Sequence, residues 1–318
     1  MLSESKKKYS ELCDNECIPI FQQPFWLNAT TGDSWDVAIV EKGGQIIGAM
    51  PYTITRRFGS LVYLGQPSLT QHLGPWIRPS TGKYAKQLGR EKEVMQNLID
   101  QLPTYHSFQQ NWSYECQNWL PFFWRGFQQT TRYTYVLENL ADLEIVFSEF
   151  QDKVRTDIRK AQGRNNLVVD SEAPLDDFIE LNRKVFQRQS LDMVDDESFI
   201  QQLVEAAGQH QSVKWFVAYD DQQRAHAGVL IVWDEHSAYY LMGGGDPELR
   251  NSGATSLCMW EAIKFASTVT KKFDFEGSMI EPVERFFRGF GAVQKPYFSI
   301  SHVPSRFLRV AKALKAAR

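Results

Sequence analysis

Apolar and polar positions along the chain fall into two similar series. Trp35-Asp36-Val37-Ala38 leads through the polar turn Lys42-Gly43-Gly44-Gln45 into a second apolar run that contains Gly48; Trp215-Phe216-Val217-Ala218 leads through Asp220-Asp221-Gln222-Gln223 into a run that contains Gly228. Strand, polar turn and strand is the signature of a β-hairpin. Trp, Val, Ala and Gly recur at one offset, 180 residues. A second correspondence follows: Phe122-Phe123-Trp124-Arg125-Gly126-Phe127 against Phe286-Phe287-Arg288-Gly289-Phe290, each ahead of a tyrosine-containing strand. Each series then predicts a third strand (60–64; 238–242), a helix (83–102; 254–268), a strand (107–112; 272–277), a short helix with the aromatic-Arg-Gly-Phe run, and a last strand (133–137; 297–300). A basic helix (151–164), a strand (167–170) and a helix (175–189) precede the second series. A repeat of this kind fixes architecture before any single element does.

The plan is α/β (α+β): two tandem domains, each a mixed, mostly antiparallel sheet flanked by helices. The break is expected near Leu140, with domains at 1–140 and 141–303 and a tail at 304–318. The tail carries Arg306, Arg309, Lys312, Lys315 and Arg318 and no acid. At about 100° per residue Phe307, Val310, Ala311 and Leu314 gather opposite those cations, which predicts a basic amphipathic helix. Docking on the second domain and peripheral contact with anionic lipid or RNA are both open to it.

Composition narrows the class. With 318 residues, 43% apolar and 23% charged, the chain suits two globular cores and excludes a disordered or collagen-like polymer. The longest apolar run, Ala227 to Trp233, is far short of a membrane span, and the lysine-rich N-terminus has no signal-peptide core. Four cysteines make no disulfide framework, so a reducing cytoplasm is the expected location. A net charge of -3 does not suggest a DNA-binding protein. The six histidines show no ligand spacing, so no metal is expected.

The stretch Tyr240 to Thr255 runs from a strand through Gly243-Gly244-Gly245 and Arg250-Asn251-Ser252-Gly253 into an apolar helix opening at Ala254. A helix N-terminus presents unpaired N–H groups and a partial positive charge, and Gly253 omits a side chain where an anion would approach. An ordinary capped loop is the alternative. In strand 272–277 alternation places Asp274, Glu276 and Ser278 on one face. A carboxylate there would take a proton from an amine, or both acids would pair with Arg285 and Arg288. Cys258, inside an apolar helix face, belongs to the core. Ser256 and Ser278 lack the Gly-x-Ser-x-Gly elbow of a serine hydrolase.

These segments carry a family resemblance. Arg250-x-x-Gly253-Ala254 resembles the phosphate-gripping turn of the GNAT acyltransferases, with Thr255 departing from the last position. Phe273-Asp274-Phe275-Glu276-Gly277, Glu284-Arg285-Phe286-Phe287-Arg288-Gly289-Phe290-Gly291 and Arg155-Thr156-Asp157-Ile158-Arg159-Lys160-Ala161 resemble motifs of the Fem-type peptidyltransferase branch (FemAB-like, the methicillin-resistance-factor relatives). The resemblance covers most of 141–300 and, through the repeat, 21–140. It implies tandem GNAT folds that move an acyl or aminoacyl group onto an amine of a cell-envelope sugar or peptide. The cosubstrate would be acyl-CoA, with no tightly bound cofactor, or aminoacyl-tRNA, which would add tRNA as a partner. Met242, Gly243, Gly244 and Arg250, Asn251, Ser252, Gly253, Ala254 and Thr255 would hold the donor; Arg155 and Arg159 would meet phosphate or substrate; Glu276, Asp274 and Arg288 would be catalytic. The first domain, whose Pro79-Ser80-Thr81-Gly82 lacks an aligned arginine, would shape the acceptor side. The family lysine falls on Phe287 here, and Arg288 or Lys295 would have to replace it; a non-catalytic binding protein with the GNAT fold is the remaining alternative.

Overall fold

Local signals set where the helices begin. Ser3 accepts from the Lys6 amide, Asp142 accepts from the Glu144 and Ile145 amides, and proline opens three other helices in its first turn. The computed structural model describes residues 3–57, 61–188, 197–277 and 279–304. In chain order the elements are α1 (Glu4–Asn15), α2 (Pro24–Thr31), β1 (Trp35–Lys42), β2 (Gln45–Arg57), β3 (Leu61–Gly65), β4 (Trp76–Ile77), α3 (Tyr84–Asp100), β5 (Ser107–Asn111), α4 (Leu120–Trp124) and β6 (Gln128–Leu137). There follow α5 (Leu143–Ser148), α6 (Asp152–Arg159), a π turn (Lys160–Arg164), β7 (Val168–Asp170), α7 (Leu175–Arg188), α8 (Glu197–Gln209), β8 (Val213–Tyr219), β9 (Ala225–Trp233) and β10 (Ala238–Gly245). A 3-10 turn (Arg250–Ser252), α9 (Ala254–Val269), β11 (Phe273–Asp274), α10 (Glu281–Arg288) and β12 (Val293–His302) complete them. Helices α1, α2, α5 and α8 lie outside the predicted set. The basic tail from Arg306 lies outside the described residues.

The chain divides into two units: residues up to Arg132 with those from Pro296 onward, and Tyr133–Lys295. The division falls inside β6 rather than at Leu140, because β6 and β12 each run from one unit into the other. In the first unit β1, β2 and β3 pair antiparallel in succession, β3 lies parallel to β5, and Ser299–His302 of β12 pair antiparallel with β5. In the second, β7, β8, β9 and β10 pair antiparallel in succession, β10 lies parallel to β11, and β11 pairs antiparallel with β6. Hairpin, third strand, helix and parallel strand thus occur twice, and each unit is a mixed, mostly antiparallel sheet flanked by helices.

The duplicated sequence is less regular than the duplicated fold. Gly48 pairs with Val40, whereas Gly228 pairs with Val217, so the two hairpins differ in register. A side chain at Gly48 would strike Val94 on α3; one at Gly228 would strike Phe178 on α7. The two glycines answer to different helices.

In the second unit α9 packs on β8 and β9 with Leu257, Cys258, Ala262, Ile263 and Ala266 buried, and Phe273, Phe275, Phe287 and Phe290 join the same core. Each such ring contributes about 1.5–3 kcal/mol of transfer free energy. In the first unit β3 and β5 pair only at Tyr63–Ser107 and Leu64–Phe108. Beyond that point the Gln66 side chain accepts from the Asn111 amide (2.6 Å) and the Leu73 amide donates to the Asn111 carbonyl (2.9 Å), so segment 66–73 seals the end of β5.

Candidate functional site

Strands β10 and β11 pair through two residues only, Ala238–Phe273 and Tyr239–Asp274. Strand β10 then continues to Gly245 through a bulge between Tyr240 and Met242, paired with β9 alone. The other chain turns away: the Phe275 amide donates to the Tyr135 carbonyl of β6 at 2.9 Å. Parallel strands that part in this way leave an edge of β10 facing Phe275–Gly277.

At this divergence the predicted strand 272–277 stops after Asp274. Glu276 and Gly277 both have φ of +60°, which ends the alternation on which a shared face for Asp274, Glu276 and Ser278 depends. Ser278 lies outside the described residues. Asp274 and Glu276 are nonetheless both buried, at 5% and 6% exposure. Asp274 Oδ1 accepts from the Thr134 hydroxyl and from the Glu276 amide (2.7 Å), and pairing with Arg285 or Arg288 is not its role. Burial raises the Asp274 carboxyl from 3.8 to about 6, against the opposing effect of those two bonds. Burial, and secondarily the charge of Glu276, raises the Tyr240 hydroxyl well above its ordinary value. A left-handed backbone at a buried glutamate is costly and is the kind of strain found at working sites. At Gly277 the conformation is obligatory, since a Cβ would collide with the Tyr133 carbonyl.

The glycine-rich segment behaves differently from its sequence reading. Gly253 has φ +85°, and the face without a side chain points at α6, where a Cβ would collide with the Asp157 carbonyl. Close helix packing, rather than room for an anion, requires this glycine. Gly244 likewise admits the backbone of Leu181 and Asn182 on α7, and Asn182 donates to the Gly243 carbonyl at 2.9 Å. The turn is held from the same side: Lys160 donates to the Asn251 carbonyl and Asn165 to the Ser252 carbonyl, the latter at 2.8 Å. Thr255, where the motif has Gly or Ala, is exposed in the first turn of α9 and obstructs nothing. Met242 is half-buried after the bulge; Arg250 and Asn251 are exposed; Ala254 is buried.

Beside this turn lies a cleft of about 520 Å³ lined by Lys160, Arg164, Asn251, Ser252, Arg224 and His226, among others. The cations that reach it are Lys160 and Arg164, not Arg155 and Arg159. Arg155 donates to the Ser148 carbonyl at the end of α5 (2.7 Å) and pairs with Asp152, while Arg159 is exposed outside the lining. Lys160 and Arg164 belong to the π turn that follows α6: from Lys160 the bonding is i to i+5, with the Asn165 amide on the Lys160 carbonyl at 3.0 Å.

Arg288 is half-exposed and bonded to Glu284 (2.9 Å), which also accepts from Tyr135 (2.6 Å). The Tyr135 bond first, then Arg288, lowers the Glu284 carboxyl. Arg288 is therefore tied to a different acid from the buried pair. Phe287, at the family lysine position, is 4% exposed and packs on Tyr240 and Phe275, with ring centroids 5.5 and 5.4 Å away. Lys295 pairs with Glu138. Cys258 is buried, its thiol on the Ala227 carbonyl at 3.4 Å. Thr134, Tyr240, Lys160, Arg164 and Asn182 complete the surroundings; the basic run signalled Lys160 and Arg164, but the others carry no local motif.

Residues 148–279 match the acetyltransferase (GNAT) domain family. No curated protein matches the chain. Among solved structures it is similar to FemX, with a TM-score of 0.68 at 13% identity over 94% of this chain and 96% of that one. It is also similar to the C-terminal domain of a putative lysylphosphatidylglycerol synthetase from Agrobacterium fabrum (TM-score 0.57, 11% identity, 99% of this chain and 96% of that one). A third, L-PGS from Bacillus licheniformis, has a TM-score of 0.56 at 10% identity over 98% of this chain and 95% of that one. Residues 148–279 thus match the GNAT domain family, and over nearly its whole length the chain has a fold similar to that of FemX. No helix among the described residues is long and apolar enough to cross a membrane.

Proposed function

We propose that this chain is an acyltransferase that moves an acyl group from an acyl-CoA-type donor to an amine, the acceptor being a small cell-envelope sugar or peptide. The observation that carries the reading is the parting of β10 from β11 with Glu276 buried where they separate, while β10 runs on toward the GNAT-like turn at the start of α9. The donor's phosphates would lie against the first turn of α9, where N–H groups lack intrahelical partners. Its acyl arm would follow the β10 edge from Tyr240 to Gly244. The acceptor nitrogen attacks the acyl carbonyl, a C–N bond forms and the C–S bond breaks. Glu276 takes the proton released by nitrogen, and the thiolate is reprotonated from solvent. Asp274 is a positioning residue: held by Thr134, it fixes the backbone amide of Glu276.

Similarity to the C-terminal domain of a putative lysylphosphatidylglycerol synthetase favours a second reading, aminoacyl transfer from a charged tRNA. The buried Phe287, which cannot meet nucleic-acid phosphate as a lysine would, weighs for the first. Thermal-shift titrations with acetyl-CoA, longer acyl-CoAs and bulk charged tRNA at two salt concentrations separate them. Stabilisation by a CoA, lost in Thr255→Glu, supports the acyl-CoA reading. Stabilisation by tRNA alone, weakened by salt and by neutralising Arg159, Lys160 and Arg164, supports the other. Response to neither would refute both.

A further inference from the structure

In the first unit, helix α4 turns an apolar face to solvent. Its Pro121 and Phe122 are buried, while Leu120, Phe123 and Trp124, at positions i, i+3 and i+4, share another face and are 42%, 56% and 53% exposed. This face is held in place. The Trp119 ring meets Phe123 edge to face at 5.5 Å, and the amides of Gly126 and Phe127 close the helix on the carbonyls of Phe123 and Phe122, both at 3.0 Å. Three large apolar side chains gathered on one exposed face mark a surface that meets a partner.

The surrounding charges select the kind of partner. Lys92 of α3 lies over the Trp124 ring, 5.4 Å from its centroid, and pairs with no carboxylate among the described residues. Two acids of α3 are taken up, Glu91 by the Asn118 side-chain amide (3.2 Å) and Asp100 by Arg125 (3.0 Å), while Glu93 is exposed. Chain direction brings more cations. In β12 the His302 ring lies 4.5 Å from that of Phe127, against the turn that closes α4, and the described residues end two positions later at Pro304. The chain therefore passes into 305–318 from beside α4, and that sequence holds Arg306, Arg309, Lys312, Lys315 and Arg318 with no acid. Apolar side chains fringed by cations suit an anionic lipid surface, whose headgroups take the charge while the rings enter the acyl boundary. A second copy of this chain would bring like charge to like charge.

We propose that α4 and the basic segment 305–318 together dock this protein on an anionic membrane surface, with Leu120, Phe123 and Trp124 at the acyl boundary and Lys92 and the five cations of that segment among acidic headgroups. Tryptophan suits the position, because its ring is apolar and its N–H stays within reach of water. The docking face belongs to the first unit and does not depend on the acyl-CoA reading of the second.

Cosedimentation of the full chain with sucrose-loaded vesicles tests the proposal, comparing phosphatidylcholine alone with phosphatidylcholine containing about one third phosphatidylglycerol. Binding is expected to the anionic vesicles and not to the neutral ones, and it should weaken as salt rises. Phe123→Ser/Trp124→Ser withdraws about the area of one whole buried side chain and should lower the partition coefficient roughly tenfold to a hundredfold. Lys92→Gln, and separately Arg306→Gln/Arg309→Gln/Lys312→Gln/Lys315→Gln, should weaken binding to anionic vesicles, the second by more. With brominated acyl chains, vesicle-dependent tryptophan quenching should be lost in Trp124→Phe. No binding to anionic vesicles overturns the proposal. So does full binding by the double serine variant, the result expected if segment 305–318 acts alone or covers α4 itself. A parent dimer that the double serine variant loses makes a second copy the occupant and overturns it too. Should that variant fail to fold, Lys92→Gln keeps every apolar contact, and unchanged affinity both in it and in the tail variant is equally fatal.

Discussion

Replacing Asp274 by Asn separates the electrostatic cost of this residue from its hydrogen bonding. Oδ1 of asparagine can still accept from the Thr134 hydroxyl and the Glu276 amide, so the local geometry is retained. What changes is ionisation. The folded protein raises this carboxyl from 3.8 to about 6 by burial, so the folded state favours the neutral form. The parent is therefore least penalised below pH 3.8 and loses stability as pH rises through about 6. At about 1.4 kcal/mol per pKa unit the full loss is roughly 3 kcal/mol. Asparagine avoids it but buries an amide NH2 that needs a partner, which costs about 1 kcal/mol or more. The variant is expected to be about 1–2 kcal/mol more stable than the parent at pH 8, with the order reversed at pH 4. Urea unfolding at pH 4, 6 and 8 with a shared m-value measures the difference. A gap between parent and variant that does not vary with pH would refute the reasoning, as would a variant less stable at pH 8.

Four further outcomes are expected. Glu276→Gln should lower turnover about 10²- to 10⁴-fold with little change in KM, the usual size of a general-base contribution; unchanged turnover in a steady-state assay removes Glu276 from the chemistry. Gly253→Ala combines a left-handed φ of +85° with a collision against Asp157 and should cost about 2–3 kcal/mol in urea unfolding, whereas Thr255→Ala should cost under about 0.5. Phe287→Lys places a charge among Tyr240 and Phe275 and should destabilise by more than about 3 kcal/mol, while Phe287→Leu folds; a well-folded lysine variant would contradict the packing. The Lys184 bond first, against opposing desolvation, lowers the Asp246 carboxyl, so that pair stabilises above the unfolded pKa and is lost as pH falls. Lys184→Met should therefore flatten the acid side of the stability profile by no more than about 1 kcal/mol.

What the sequence by itself determined was the set of repeating local signals. Apolar strands around polar turns, Pro-opened helices and the aromatic-Arg-Gly-Phe runs are properties of consecutive residues, so the hairpin, helix, strand order of each half was legible. So were the turn at Arg250–Thr255 and the acids Asp274 and Glu276, because their motifs are contiguous. Tertiary structure decided which surface each of these presents. Gly253 is explained by Asp157, nearly a hundred positions earlier, and Asp274 by Thr134 on β6, neither of which leaves a local trace. Alternation failed at Glu276 because a left-handed backbone, imposed where β11 leaves β10, has no counterpart in a binary pattern. Which basic side chains reach the cleft was likewise decided in three dimensions: Arg155 is tied to Ser148 and Asp152, while Lys160 and Arg164 of the following π turn line it. The shared glycine of the two hairpins shows the same limit: one residue type at one offset serves two different helices, because register is set by packing across the sheet and not by the order of residues along it.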